Sequence, residues 1–359
     1  MTPKLRPLLR GLPAYVPGRR PQPGQDLARL ASNETPLGPL PSVIDAVARA
    51  VADGNRYPDP AAVELTAALA AKHGIDESRV AVGCGSVSLI QQMVQISVDA
   101  GNEVIYAWRS FEAYPSLVKV SGARPVEVPL DGYEHDLKRM ADAVTDNTRL
   151  VILCSPNNPT GPALRAADVA TFLQTVPDHV LVVLDEAYAE FVDDPEAVDG
   201  RRLLADHPNL AVLRTFSKAY GLAGLRIGYC LAGAAETASA LRQVAVPFQV
   251  SIPAQAAALA SLAAEEELLQ RVRAVVQERE PLRNRLLEIG YDVPPSQGNF
   301  VWLPTGADTM RVAGVFDEAG ILVRPFDGDG IRVTVTTAAD SERVVAAARA
   351  ALPAGTARG

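Results

Sequence analysis

The chain has 359 residues, of which 48% are hydrophobic, 5% aromatic and 21% charged, with a net charge of −8 at pH 7. That length fills two or three compact units with ample apolar content for a core. An acidic chain poor in aromatic residues excludes a nucleic-acid footprint, a stacking surface for single strands and an anionic-membrane surface, so a cytoplasmic globular protein is expected. Cys84, Cys154 and Cys230 are widely spaced with no close pair, and His73, His135, His179 and His207 share no ligand spacing. Neither a disulfide framework nor a metal site is expected. Residues 1–18 are basic, but proline and glycine break them up and they lack the apolar core of a leader peptide.

Residues 1–40 are proline-rich and read as an arm. Pro41–Gly54 is predicted to be a helix, with Pro41 at its first position and Val43, Ile44, Val47 and Val51 along one face. A second helix, Ala61–His73, ends at Gly74. Short apolar runs then follow at Arg79–Val82, Glu103–Tyr106, Leu150–Cys154, Val180–Leu184, Leu210–Leu213 and Arg226–Leu231. Helical patterns separate most of them, at Ser88–Val98, Ala166–Leu173 and Ala234–Val244. Apolar strands alternating with helices mean an α/β fold with a mainly parallel sheet covered on both faces. Val244–Ala264 carries no charge and is long enough to span a membrane, but Pro247, Gln249, Pro253 and Gln255 interrupt it. It reads as a buried helix after a proline-punctuated loop. Within the helical pattern Glu265–Glu288, Pro281 is expected to kink or divide the helix. Strands at Phe300–Leu303, Ile321–Val323 and Ile331–Val335 complete a smaller α/β unit.

Four segments follow or link predicted strands, where open α/β sheets place their ligands. Val82-Gly83-Cys84-Gly85-Ser86 opens a helix and offers backbone N–H groups to a phosphate. Ser155-Pro156-Asn157-Asn158-Pro159-Thr160-Gly161 presents amide side chains on a turn. Leu184-Asp185-Glu186-Ala187-Tyr188 puts a carboxylate behind a buried strand, a costly position unless it meets a cation or a donor. Finally, Arg214-Thr215-Phe216-Ser217-Lys218-Ala219-Tyr220-Gly221-Leu222-Ala223-Gly224-Leu225-Arg226 spaces a hydroxyl, an amine and a guanidinium by glycines. An amine nucleophile beside phosphate-binding groups is what an electrophilic, phosphorylated cofactor requires.

In this order the segments resemble the fold-type I pyridoxal-phosphate aminotransferases, in the branch of the histidinol-phosphate and aromatic amino acid enzymes. The resemblance runs from Ser32-Asn33-Glu34-Thr35 to Gly330-Ile331-Arg332-Val333-Thr334-Val335. It implies a large cofactor domain at 41–245, a small domain at 246–359 that the arm 1–40 joins, and a homodimer with pyridoxal 5′-phosphate at the interface. It implies Lys218 as the Schiff-base lysine and proton carrier, Asp185 as partner of the pyridine nitrogen, and Asn158 and Tyr188 as donors to the phenolic oxygen. Gly85, Ser86, Ser217 and Arg226 resemble the phosphate cradle, Phe111 the residue stacked on the ring, and Tyr57 a tyrosine lent by the neighbouring subunit. Arg332 matches the α-carboxylate arginine, Arg324 is a second candidate, and Asn33 and Tyr15 are candidates for the pocket mouth. Gly85-Ser86-Val87-Ser88 and Trp108-Arg109-Ser110-Phe111-Glu112 depart from the histidinol-phosphate pattern and look like the actinobacterial aromatic enzymes. The expected reaction is transamination of phenylalanine, tyrosine or tryptophan with 2-oxoglutarate. A histidinol-phosphate aminotransferase is the alternative within the branch, followed by a decarboxylase using the same cofactor. A regulatory ligand sensor would need a DNA-binding module for which the chain has no spare length.

Overall fold

In this computed structural model, residues 3–4, 6–12 and 26–352 are described. The chain enters through a short strand β1 (Ala28–Arg29) and two helices, α1 (Pro41–Val51) and α2 (Val63–His73). Then come β2 (Val80–Gly83), α3 (Ser86–Ser97), β3 (Glu103–Trp108), α4 (Tyr114–Ser121) and β4 (Arg124–Pro129). The next elements are α5 (Leu137–Asp142), β5 (Thr148–Cys154), α6 (Ala166–Thr175), β6 (Leu181–Asp185), β7 (Leu210–Thr215) and β8 (Gly228–Ala232). Strands β2 to β8 form one sheet in the order β2-β8-β7-β6-β5-β3-β4. Only β8 runs against its neighbours, β2 and β7. The remaining pairs are parallel, as uninterrupted apolar strands require.

Successive residues of these strands feed two different cores. Val151 and Leu153 of β5, with Val182 and Leu184 of β6, join one apolar cluster; Leu150, Ile152 and Val183 join the other. Leu89, Met93, Val118 and Leu241, from α3, α4 and α7 (Ala235–Val244), cover the second face. Leu65, Leu69, Val169 and Phe172, from α2 and α6, cover the first. Strand β4 was not expected from the sequence. It is an edge strand whose burial is patchy, so its proline-rich RPVEVP lacks the continuous apolar run of a central strand.

Beyond the sheet lie α8 (Ile252–Ala263), α9 (Glu265–Glu288), β9 (Phe300–Leu303), α10 (Thr309–Glu318), β10 (Ile321–Leu322), β11 (Arg324–Phe326), β12 (Gly330–Thr334) and α11 (Ala338–Ala350). β11-β12-β9 is an antiparallel sheet, and β1 pairs with β10. The proline-punctuated loop followed by a helix is found as expected, in 245–251 and α8. No helix among the described residues is long and apolar enough to cross a membrane.

Two local expectations need correction. Pro281 does not divide α9, which is one helix of 24 residues. Leu268, Val272, Val275, Arg279, Leu282 and Leu286 form a buried stripe that passes either side of the proline. Packing of that stripe outweighs one missing hydrogen bond. On α1, Val43 is buried, but Ile44 and Val51 are more than half exposed, so its apolar face is wider than this chain's own core covers.

Candidate active site

The carboxyl ends of the parallel strands converge on a cavity of about 290 Å³. β2 delivers Gly85 and Ser86 at the amino terminus of α3, and β5 delivers Asn158. β6 ends on Asp185, β7 leads into Ser217 and Lys218, and β3 leads to Phe111. Because β8 is antiparallel, its entry end lies at this same edge, which brings Arg226 to the site. Arg324 and Arg332 arrive from β11 and β12. Ser86, Phe111, Asn158, Asp185, Tyr188, Ser217, Lys218, Arg226, Arg324 and Arg332 all line the cavity.

Lys218 donates from Nζ to the Ser32 carbonyl at 2.9 Å. Burial lowers its pKa to about 7, with Arg332 and Arg226 adding repulsion and Glu34 opposing them. An amine so placed is a nucleophile near neutral pH. Asp185 accepts from the Tyr114 hydroxyl through Oδ2 at 2.7 Å, while its buried Oδ1 has no hydrogen-bond partner. Burial raises this carboxyl to about 6, and the Tyr114 hydrogen bond pulls the other way. An orphaned buried carboxylate oxygen calls for a cationic donor.

Gly85 has φ 80°, and a side chain there would run into the Arg226 guanidinium. Arg226 is itself left-handed, with φ 57°, and its Nη1 donates to Ser217 Oγ at 3.3 Å and to the Ala223 carbonyl at 2.9 Å. A helix start, a hydroxyl and a guanidinium thus face one concavity, shaped for a phosphate. Arg332 donates from Nη1 to Asn158 Oδ1 at 2.5 Å, an orientation that leaves the Asn158 amide nitrogen as the available donor. Burial pushes Tyr188 up to about 12, so its hydroxyl stays protonated.

Three expected residues lie elsewhere. Asn33 does not line the cavity; it is fully buried and donates from Nδ2 to Tyr188 Oη at 2.9 Å, bracing that tyrosine from behind. Tyr57 is 80% exposed and stacks on Phe248, outside the cavity lining. Tyr15 falls outside the described residues. Tyr114 and Glu112 were not expected at the site, although both stand in the Ser110–Tyr114 segment. A buried aspartate ending a strand must find a donor, and that need pointed to Tyr114. Also missed was the buried pair of Arg214 with Glu186, Nη2 to Oε2 at 2.6 Å, which ties the ends of β6 and β7 together.

The family described as aminotransferase class I and II matches residues 25–348. The chain belongs to the class I and II aminotransferases. It is 55% identical to the aromatic amino acid aminotransferase of Thermobifida fusca, over 97% of both chains. It is 52% identical to the enzyme of the same name from Streptomyces coelicolor, over 93% of both. Among solved structures, it superposes on histidinol-phosphate aminotransferase from Sinorhizobium meliloti in complex with pyridoxal-5′-phosphate with a TM-score of 0.87, at 32% identity over 97% of both chains. The fold-type I architecture and the aminotransferase assignment expected from the sequence are therefore correct.

This is a pyridoxal-phosphate enzyme, and its residues fit that cofactor: an amine for the aldehyde, an unpartnered carboxylate oxygen for a protonated ring nitrogen, and a cradle for the phosphate. The lowered amine pKa has a kinetic consequence. A protonated lysine cannot attack, so covalent attachment of the cofactor to the apo-protein should speed up as pH rises, with a midpoint near 7 rather than 10.5. Stopped-flow absorbance of reconstitution checks this; a rate still climbing toward the ordinary lysine value would contradict it.

Proposed function

We propose that this aminotransferase acts on aromatic amino acids (phenylalanine, tyrosine or tryptophan) and passes the amino group to 2-oxoglutarate. The observation that carries the reading is the cavity lining, which combines the buried Arg332 with the apolar and aromatic side chains of Val87, Phe111 and Tyr188. Such a lining suits one carboxylate and one apolar side chain. The names of relatives at 51–55% identity support it, whereas the histidinol-phosphate enzyme above is only 32% identical.

Bound here, pyridoxal phosphate supplies an electron sink for the pair left when the substrate Cα–H bond breaks, and it stores the amino group between half-reactions. The chain's residues do the rest. Lys218 Nζ would anchor the cofactor and then move the proton from the substrate Cα to the cofactor C4′. Asp185 would hold a proton on the ring nitrogen, with Tyr114 orienting the carboxylate. Asn158 and Tyr188 would donate to the phenolic oxygen, and Phe111 would cover the ring. Gly85, Ser86, Ser217 and Arg226 would hold the phosphate, and Arg332 the α-carboxylate. Replacing Arg332 with lysine removes the planar fork, so KM for the amino acid should rise about tenfold with a smaller change in kcat. Steady-state kinetics read this directly, and an unchanged KM would remove Arg332 from that role.

The reading includes a cytoplasmic homodimer in which Tyr57 serves the neighbouring site. The exposed Tyr57, Val246, Ile44 and Val51 support a covered apolar face. It also includes a small domain built from both ends of the chain, which the β1–β10 pairing supports. Packing of α8 on α1 and α2 favours counting that helix with the large domain. The substrate is tested in a single half-reaction, mixing the holoenzyme with phenylalanine, tyrosine or histidinol phosphate and following the loss of the aldehyde form of the cofactor. Fastest conversion by histidinol phosphate would overturn the aromatic reading.

A further inference from the structure

Residues 30–33, which follow β1, each pass one group to the site or to the strand beside it. The Leu30 carbonyl accepts from the Thr334 backbone N–H at 2.9 Å, and the Ala31 carbonyl accepts from Arg332 Nη2 at 2.6 Å. The Ser32 carbonyl accepts from Lys218, and Asn33 donates from Nδ2 to Tyr188 Oη at 2.9 Å. Asn33 closes the segment in the left-handed region, φ 53°, which asparagine enters more readily than most side chains. It is fully buried, and its remaining polar groups are all partnered. Its N–H donates to Thr334 Oγ1 at 3.0 Å, its Oδ1 accepts from the same hydroxyl at 3.1 Å, and its carbonyl accepts from Asn299 Nδ2 at 3.1 Å.

A buried asparagine held so tightly in a costly backbone conformation is a means of placing one side-chain group. The group placed is an N–H aimed at a tyrosine oxygen that lines the cavity. A hydroxyl has one hydrogen and two acceptor positions. With Asn33 donating to Tyr188 Oη, the tyrosine's own hydrogen is left for a different acceptor, and a hydroxyl that accepts one hydrogen bond donates the next more strongly. We propose that Asn33 is a positioning residue whose amide commits the Tyr188 hydrogen to the phenolic oxygen of the cofactor and strengthens that donation. This role rests on Tyr188 serving as the donor proposed above. The charged groups around Tyr188 are Arg332 from β12, Asp185 from β6 and Lys218 from the β7–β8 segment, whose Nζ lies 6.0 Å from the ring centroid.

The test is a spectral pH titration of holoenzymes, reading the midpoint at which the visible band of the lysine-linked cofactor changes. That change marks loss of the proton shared by the linkage nitrogen and the phenolic oxygen. A donor to the oxygen stabilises its negative charge and lowers the midpoint, so weakening the donor raises it. Asn33→Gly keeps the left-handed backbone and deletes the amide. It should raise the midpoint by about half a unit, and Tyr188→Phe by about one unit, the scale of one buried hydrogen bond. Added to Tyr188→Phe, Asn33→Gly should shift nothing further. Thr334→Val removes the hydroxyl that anchors the amide; it should also raise the midpoint, and it decides the matter if Asn33→Gly does not fold. Asn299→Ala frees only the Asn33 carbonyl and should leave the midpoint in place. A lower midpoint in Asn33→Gly overturns the proposal, because the amide would then be taking the Tyr188 hydrogen. An unmoved midpoint, or an equal shift in Asn299→Ala, overturns it too, since Asn33 would then be only a brace. An unmoved midpoint in Tyr188→Phe overturns the donor role of Tyr188, whereas a rise there with none in Asn33→Gly overturns the role of Asn33 alone.

Discussion

Replacing Lys218 with alanine should lower turnover by about 10⁴-fold and abolish the visible band of lysine-bound cofactor, since both the anchor and the proton carrier are removed. The fold should survive. Holding this amine at a pKa of about 7, against 10.5 when exposed, means that the unfolded chain binds more protons between those values. The lysine therefore costs the apo-protein stability as pH falls from 10.5 toward 7, and the cost is fully present below 7. The apo variant should melt at or above the wild-type temperature at neutral pH. Retention of the band with normal turnover would remove Lys218 from the centre of the chemistry. A variant that melts well below wild type would show that the amine is structural.

Asp185→Asn should cut kcat by about 10²–10³-fold, the usual loss when a buried, preorganised electrostatic partner is removed. Asparagine keeps the shape and can still accept from Tyr114, so the circular dichroism spectrum should be unchanged. What it lacks is the charge that holds a proton on a ring nitrogen. The sign with pH follows from the raised carboxyl. In the apo-protein it takes up a proton as pH falls through about 6, so cofactor affinity in the wild type should weaken on acidification across that range. Asp185→Asn should be weak and flat over the same range. A near-normal kcat, or an affinity that titrates like wild type, would exclude the electron-sink role.

Much of this site was legible because its chemistry is local. Asp185 and Asn158 follow buried apolar runs within a few residues, and Lys218 stands in a glycine-punctuated segment between two strands. What escaped the sequence depends on distant partners. Asn33 was read as a mouth residue, yet its partner Tyr188 is 155 residues away and the pair is buried. Glu112 and Arg324 are 212 residues apart. Pro281 was expected to kink or divide its helix, and α9 runs undivided through it along its buried stripe.

The sequence by itself determined most of the apolar strands and the turn chemistry at their ends, because periodicity and turn preference act over a few neighbours, and the order of its motifs carried the resemblance to the family. Only the tertiary structure decided which charges meet. The reversal of β8 carries Arg226 to the cavity, and the β11–β12 register sets Arg324 opposite Arg332. Electrostatic and packing energies depend on distance in space, which chain spacing does not encode. A chain carrying −8 overall could therefore gather Lys218, Arg226, Arg324 and Arg332 in one cavity for acidic ligands.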